Sequence, residues 1–251
     1  MHASQNKFKS YPPPFNWIER YSLNNVDAFL ARNEEAEQIL RRKGYTGRIA
    51  QMPHGVDASQ FTWERVAARE SLGLDRNPVV GYVGALIPRK GLDTLIRACS
   101  TGRWNVLLVG DGPEKENLLL LARDVGIGDK VVISPAVNHR EVARYIAAMD
   151  VFVLPSRAEP FGRVLIEAMA AGTAVVGSNS ESIPRVIGDA GLVFPVDDVP
   201  ALSQHLEMLI THPEERDRLI RKGKERVSTL YSWQRIADQT YGVYKDTLGR
   251  Q

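Results

Sequence analysis

A single cysteine, Cys99, stands among 251 residues, which excludes an intrachain disulfide and a multi-cysteine metal site. It falls in an apolar helical pattern with Leu92, Leu95 and Ile96, the setting of a buried, inert thiol. Long apolar runs are lacking too. None approaches the roughly 18 residues of a membrane span, and the longest candidate, Tyr145 to Leu154, is interrupted by Asp150. The N-terminus, Met1-His2-Ala3-Ser4-Gln5, has no apolar core of the kind a secretory leader carries. Charge of one sign is also scarce. The formal net charge is +2, too near neutral to argue for nucleic acid or a strongly anionic membrane. These shortages predict a cytoplasmic protein without a transmembrane segment. Lys222, Lys224 and Arg226 form a basic stretch that reads as a solvated helix face. It leaves open only weak peripheral contact with the inner face of the membrane.

Apolar residues make up 43% and charged residues 25% of the chain, ordinary values for a globular protein. From residue 79 onward, short β-branched runs alternate with helical patterns. Strands are predicted at Val79–Val83, Val106–Val109, Val131–Ile133, Val151–Leu154, Ala174–Val176 and Leu192–Phe194. Near-continuous apolar strands separated by helices indicate a parallel sheet covered on both faces. The predicted fold is therefore α/β, a doubly wound Rossmann-like sheet. Residues 1–55 hold only two predicted strands, too few for a self-sufficient α/β domain. Pro53-His54-Gly55-Val56-Asp57 breaks the pattern and marks a boundary. Three segments follow: a small N-terminal αβ piece over 1–55, the main domain over 56–231, and a C-terminal helix over 232–251 that turns back toward the first. His54 reads as a structural linker residue.

Ligands of open parallel sheets bind beyond the carboxyl ends of the strands. The polar and glycine-rich segments fall there: Gly84 to Gly91, Gly110-Asp111-Gly112-Pro113, Ser134 to Val137, Pro155 to Gly162, and Ser178-Asn179-Ser180. The most informative stretch is Glu159 to Glu167. Gly162 permits a sharp turn and close approach to a ligand. A helix follows, whose first N–H groups, around Arg163, Val164 and Leu165, lack intrahelical partners and form an anion site. Side chains on a helix tilt toward its N-terminus, so Glu167 reaches back toward the cleft. Glu159 enters from the preceding loop, and Lys90 and Arg89 bring positive charge from the first loop. Carboxylates accept from hydroxyls and amides donate to phosphates. A sugar joined to a nucleoside diphosphate offers both. The same residues are equally read as a helix cap and a surface acid.

The run Glu159-Pro160-Phe161-Gly162-Arg163-Val164-Leu165-Ile166-Glu167 resembles the two-glutamate motif of family 4 glycosyltransferases, which have the GT-B fold. Val83-Gly84 through Lys90-Gly91-Leu92 is similar to that family's diphosphate loop, and Gly110 to Pro113 and Ile183 to Gly188 match in place and order. The resemblance runs over residues 28–248. It implies the C-terminal half of a GT-B fold with only a small remnant of the acceptor-binding N-terminal domain. Glu159 would contact the donor sugar, with amides near Phe161 and Gly162. Glu167 would hold the ribose. Lys90 would neutralise the departing diphosphate, helped by amides of Val164 and Leu165. Gly84, Arg89, Gly110 and Val137 would complete the donor site. The family is retaining and needs no metal or other cofactor, so Asp197-Asp198 reads as a loop acid pair. The family often carries an arginine after the first glycine, where this chain has Ala85. The chain also carries Glu181 where the family has small residues.

The implied function is hexosyl transfer from a UDP-, GDP- or ADP-sugar to an unspecified acceptor, with this chain holding the donor. On this reading the chain alone transfers poorly, and its N-terminal piece pairs with an acceptor-domain partner chain or a second copy. The alternative is a non-catalytic nucleotide-sugar-binding module, or one chain of a split transferase. The two-glutamate motif argues against a nucleotide-sugar epimerase.

Overall fold

The computed structural model describes residues 12–249. They divide into two compact units: the residues up to Gly55 with those from Tyr231 onward, and Val56–Leu230.

The first unit begins with helix α1 (Phe15–Asn25), strand β1 (Ala28–Ala31), helix α2 (Glu34–Arg42) and strand β2 (Arg48–Gln51). The Asn33 side chain caps α2 by accepting from Ala36 N at 2.8 Å. Acids in the first turn and arginines in the last complement the helix dipole. β1 and β2 pair in parallel, from Ala28 opposite Arg48 to Ala31 opposite Gln51. Phe29 meets Tyr45 edge-on at 4.7 Å.

The second unit carries helices α3 (Arg65–Ser71), α4 (Leu92–Cys99), α5 (Lys115–Asp124), α6 (His139–Ala147), α7 (Arg163–Ala171), α8 (Ile183–Ile187), α9 (Val199–Thr211) and α10 (Pro213–Arg226). Its strands are β3 (Val79–Val83), β4 (Asn105–Val109), β5 (Val131–Ser134), β6 (Val151–Leu154), β7 (Ala174–Ser178) and β8 (Gly191–Phe194). They form one parallel sheet in the order β5-β4-β3-β6-β7-β8. The order reverses between β3 and β6, and that switch point opens a crevice at the carboxyl edge. Val79, Val80, Tyr82 and all of β6 are buried, as continuous apolar strands under two helical layers must be. Gly81 leaves room for Met149, whose thioether would collide with any added Cβ. Truncating the buried Phe152 to alanine would cost about 3–5 kcal/mol.

After a π-helical turn at Val227–Tyr231, helix α11 (Trp233–Leu248) belongs to the first unit. Arg48 Nη2 bonds Asp246 there at 3.0 Å. Trp233 covers Gly55, where a Cβ would meet the indole at 2.7 Å. Ile236 and Val243 are buried, while Tyr241, Tyr244 and Leu248 stay exposed. The expectation of a small N-terminal remnant is corrected here. A paired parallel sheet, a capped helix and α11 make these residues a compact unit in their own right. No helix among the described residues is long and apolar enough to cross a membrane.

Candidate functional site

The two strands at the switch point each end in a polar loop. After β3 the chain passes Gly84 and Ala85 and makes a 3-10 turn at Pro88–Lys90, closed by Gly91 in the left-handed region at φ 62°. A Cβ on Gly91 would strike the Pro155 carbonyl of the loop after β6, so only glycine lets these loops touch. Lys90 Nζ pairs with Glu159 Oε2 across that contact, and both side chains are largely buried. Ser156 Oγ lies 3.4 Å from the same Glu159 oxygen.

Arg157 locks the two loops together. It donates through Nη1 to the Pro88 carbonyl at 2.7 Å and through Nη2 to Asp93 at 2.8 Å and 2.9 Å. Its Nε donates to Asp197 at 2.9 Å and 3.0 Å. The backbone joins in, with Arg157 N donating to Arg89 O at 2.8 Å. Hydrogen bonds to Asp93 and Asp197 raise the Arg157 pKa. The bond from Arg157 holds Asp197 below its ordinary value, against a smaller opposing effect of burial.

Gly110 and Gly112, after β4, lie against the first loop. A Cβ at Gly110 would run into the Gly84 carbonyl, and one at Gly112 into that of Leu86. Tyr82 donates its hydroxyl to Ala85 O at 3.0 Å, and burial pushes its phenol well above the usual value. Val137 follows β5 in the loop that leads to Asn138, whose side chain caps α6 through Glu141 N at 3.1 Å.

Helix α7 starts at Gly162, left-handed at φ 79° and without a side-chain cap. Phe161 and Gly162 are buried, and Val164 sits half-buried on the first turn. Glu167 is 6% exposed, and Arg163 Nε lies 2.9 Å from its Oε1. Burial raises the Glu167 pKa, while Arg163 and His139 pull it back. His139 Nε2 in turn lies 3.2 Å from Arg163 Nη2.

Two residues expected at the donor site hold partners within the chain. The Leu165 amide is not open to a ligand, because it donates to Gly162 O at 2.9 Å as the helix begins with a tight turn. Arg89 spends a donor on the Ala158 carbonyl at 3.3 Å, so its guanidinium braces the Glu159 loop. Glu181 is exposed, at φ 45°. Sequence reasoning missed Arg157, Ser156 and Tyr82 and read Asp197 as a plain loop acid. A lone arginine in a polar loop looks the same as a solvated one until its partners are known. Among the described residues, no group of three or more His, Cys, Asp or Glu is placed to hold a metal ion.

Residues 64–226 match the family described as glycosyl transferases group 1. The chain is 29% identical over 248 residues to an alpha-D-kanosaminyltransferase of Streptomyces kanamyceticus, covering 93% of this chain and 64% of that protein. It is 33% identical over 211 residues to an MMP alpha-(1->4)-mannosyltransferase of Mycolicibacterium hassiacum, covering 79% of this chain and 48% of that protein. The chain thus spans about half to two thirds of these curated relatives. It also resembles the sucrose-phosphate synthase structure from Thermosynechococcus elongatus, with TM-score 0.82 and 31% identity, covering 94% of this chain and 62% of that one. A likeness of that extent takes in both units. It overturns the reading of a C-terminal GT-B half carrying only a remnant: the fold is GT-B, with an N-terminal and a C-terminal α/β unit.

Proposed function

Since this chain belongs to the glycosyl transferases group 1 family, we propose that its Val56–Leu230 unit binds a nucleoside diphosphate sugar and serves retaining transfer of a hexosyl group. The observation that carries this reading is the Lys90–Glu159 pair at the switch point of the sheet, beside the uncapped start of α7. A cation, a carboxylate and a helix N-terminus converge on one crevice. The first and third suit a diphosphate, and the second suits sugar hydroxyls.

In this proposal Lys90 turns from Glu159 to the diphosphate and neutralises charge as the leaving group departs. Donors placed where charge develops lower the barrier most. The α7 dipole and the Val164 amide assist, and the backbone at Phe161 and Gly162 meets the sugar. Glu159 then accepts from a sugar hydroxyl. Glu167 accepts from the ribose hydroxyls, exchanging its contact with Arg163. Gly84 and Gly110 admit the phosphates because neither presents a side chain, and Val137 flanks the base. The kanosaminyl- and mannosyltransferase relatives support transfer of a sugar while differing in which sugar they move.

Calorimetric titration with UDP-, GDP- and ADP-sugars and with the bare diphosphates tests the reading. One nucleotide sugar should bind saturably, and Lys90→Ala should weaken it. Identical titrations for wild type and Lys90→Ala with every nucleotide would sink the proposal.

A further inference from the structure

A second cavity, of about 640 Å³, lies in the Val56–Leu230 unit away from the donor crevice. It is lined by Ala147 and Gly172 together with Trp63, Glu64, Arg65 and Lys224. Ala147 and Gly172 close α6 and α7 just before β6 and β7. The cavity therefore opens at the amino edge of the sheet, opposite the strand ends that carry Lys90 and Glu159.

Its charge is only partly matched. Asp150, buried, is shared by three guanidinium groups: Arg69 pairs with its Oδ2, Arg65 Nη1 stands 3.4 Å from its Oδ1, and Arg216 lies 3.7 Å away. The same carboxylate also accepts from Val79 N at 2.8 Å. Arg65, the one of the three that lines the cavity, is loosely held. Its remaining contact, from Nη2 to Gly172 O, is also 3.4 Å, and its Nε is buried without a partner. A half-buried guanidinium with long contacts and an idle, buried Nε carries an uncompensated desolvation cost. Asp217 acts on Arg65 from nearby and Glu64 lines the wall, so the surplus is modest and suits a small anion. Lys224 adds a second cation, folding over Gly172 with its Nζ 3.0 Å from where a Cβ would stand.

The rest of the wall is not that of a simple anion hole. Trp63 is 44% exposed and offers an indole face. Thr62, Ser228 and Glu64 offer hydroxyls and a carboxylate. A flat apolar platform beside hydroxyl-matching groups is what the face and rim of a pyranose need. The volume lies within the usual range for small-molecule sites.

We propose that this cavity binds a sugar phosphate, its phosphate on Arg65 and Lys224 and its ring on Trp63, with Glu64 accepting from ring hydroxyls. The cavity stands whether or not the opposite crevice takes a nucleotide sugar. The test titrates the full chain with glucose 6-phosphate, glucose and inorganic phosphate, followed by calorimetry and tryptophan fluorescence. Glucose 6-phosphate should bind saturably, at least about tenfold tighter than glucose or phosphate, a difference of about 1.4 kcal/mol. Lys224→Ala and Trp63→Ala both replace exposed side chains and should each weaken binding. Lys90→Ala, at the other edge, should leave the affinity for glucose 6-phosphate as it is. Absence of saturable binding overturns the proposal. So does loss of binding in Lys90→Ala with retention in Lys224→Ala, which would place the ligand in the donor crevice. Equal affinity for phosphate and glucose 6-phosphate, unmoved by Trp63→Ala, also overturns it, because the site would then read an anion and no sugar.

Discussion

Arg163 Nε holds Glu167 Oε1 at 2.9 Å, one turn along α7, so the acid proposed for the ribose has a cation of its own helix as partner. Burial keeps the Glu167 carboxyl above its ordinary 4.5. A carboxylate accepts from two hydroxyls better than a protonated acid does. Nucleotide affinity should therefore fall as pH drops through that raised value. For stability the sign is opposite: the ionised, buried carboxyl costs the folded state, so its contribution improves as pH falls and levels off below 4.5. Nucleotide titrations from pH 7 to 4.5 check this, and Glu167→Gln should flatten the profile.

Lys90 and Glu159 divide their labour between diphosphate and sugar. Lys90→Ala should reduce affinity for the bare diphosphate by about 10- to 100-fold, from loss of a charge-assisted contact of about 1.5–3 kcal/mol. Glu159→Gln should leave the bare diphosphate nearly untouched and reduce the preference for the sugar nucleotide. Equal losses of bare diphosphate in both variants would contradict the division.

Arg157 joins Pro88 O, Asp93 and Asp197. The group is a third exposed, so solvent screening discounts its ion pairs. Arg157→Ala should cost about 1–2 kcal/mol, or roughly 2–8 °C in Tm for a domain of this size. It should also weaken diphosphate binding by loosening the turn that carries Lys90. Arg157→Lys should recover part of the stability and little of the binding, since an ammonium cannot span three partners. Asp197, held below its ordinary 3.8, stabilises the fold above that pH and loses its contribution as pH falls through the depressed value. Acid unfolding of Asp197→Asn against wild type measures it.

Cys99 is buried and its thiol is pushed up to about 12 by burial. Iodoacetamide at pH 8 should leave the native chain unmodified and alkylate it fully in denaturant. Labelling at intermediate denaturant should follow unfolding of the sheet. Fast labelling of the folded protein would show that α4 opens locally.

Gly110 packs against the Gly84 carbonyl, a backbone atom that cannot swing away. Gly110→Ala should destabilise by more than about 2 kcal/mol, within the range of overpacking with backbone strain. Thermal denaturation reads it directly, and Gly242→Ala, on a helix face with open space, should be neutral or stabilising.

The central strands were legible in the sequence because burial on both faces selects unbroken β-branched runs, and β3 and β6 keep the predicted bounds Val79–Val83 and Val151–Leu154. β7 runs on through Gly177 and Ser178, which composition disguises as a turn. Pairing to Leu154 keeps Gly177 in the ladder. α3 and α8, of seven and five residues, are too short for periodicity to register. The N-terminal unit was misjudged because two strands before Gly55 were counted as too few for a domain, even with the C-terminal helix expected to turn back toward them. At the site, the residue types were legible and their bonds were not. Nothing in the string of residues says that Leu165 N–H is already taken or that Arg157 reaches three partners.

The order of the sheet also bears on how the chain assembles. β3 pairs with β6, and Lys90 and Glu159 are 69 residues apart. The turns and helices of β3, β4 and β5 can form from local contacts, but the crevice cannot exist until β6 has closed a long loop against β3. Loop closure of this kind slows folding. A ligand of the crevice thus has nothing to hold in an early intermediate and acts only on the finished sheet. It should slow unfolding and leave the folding rate almost unchanged, so the same nucleotide that reports binding at equilibrium would report, in kinetics, when the last central strand has arrived.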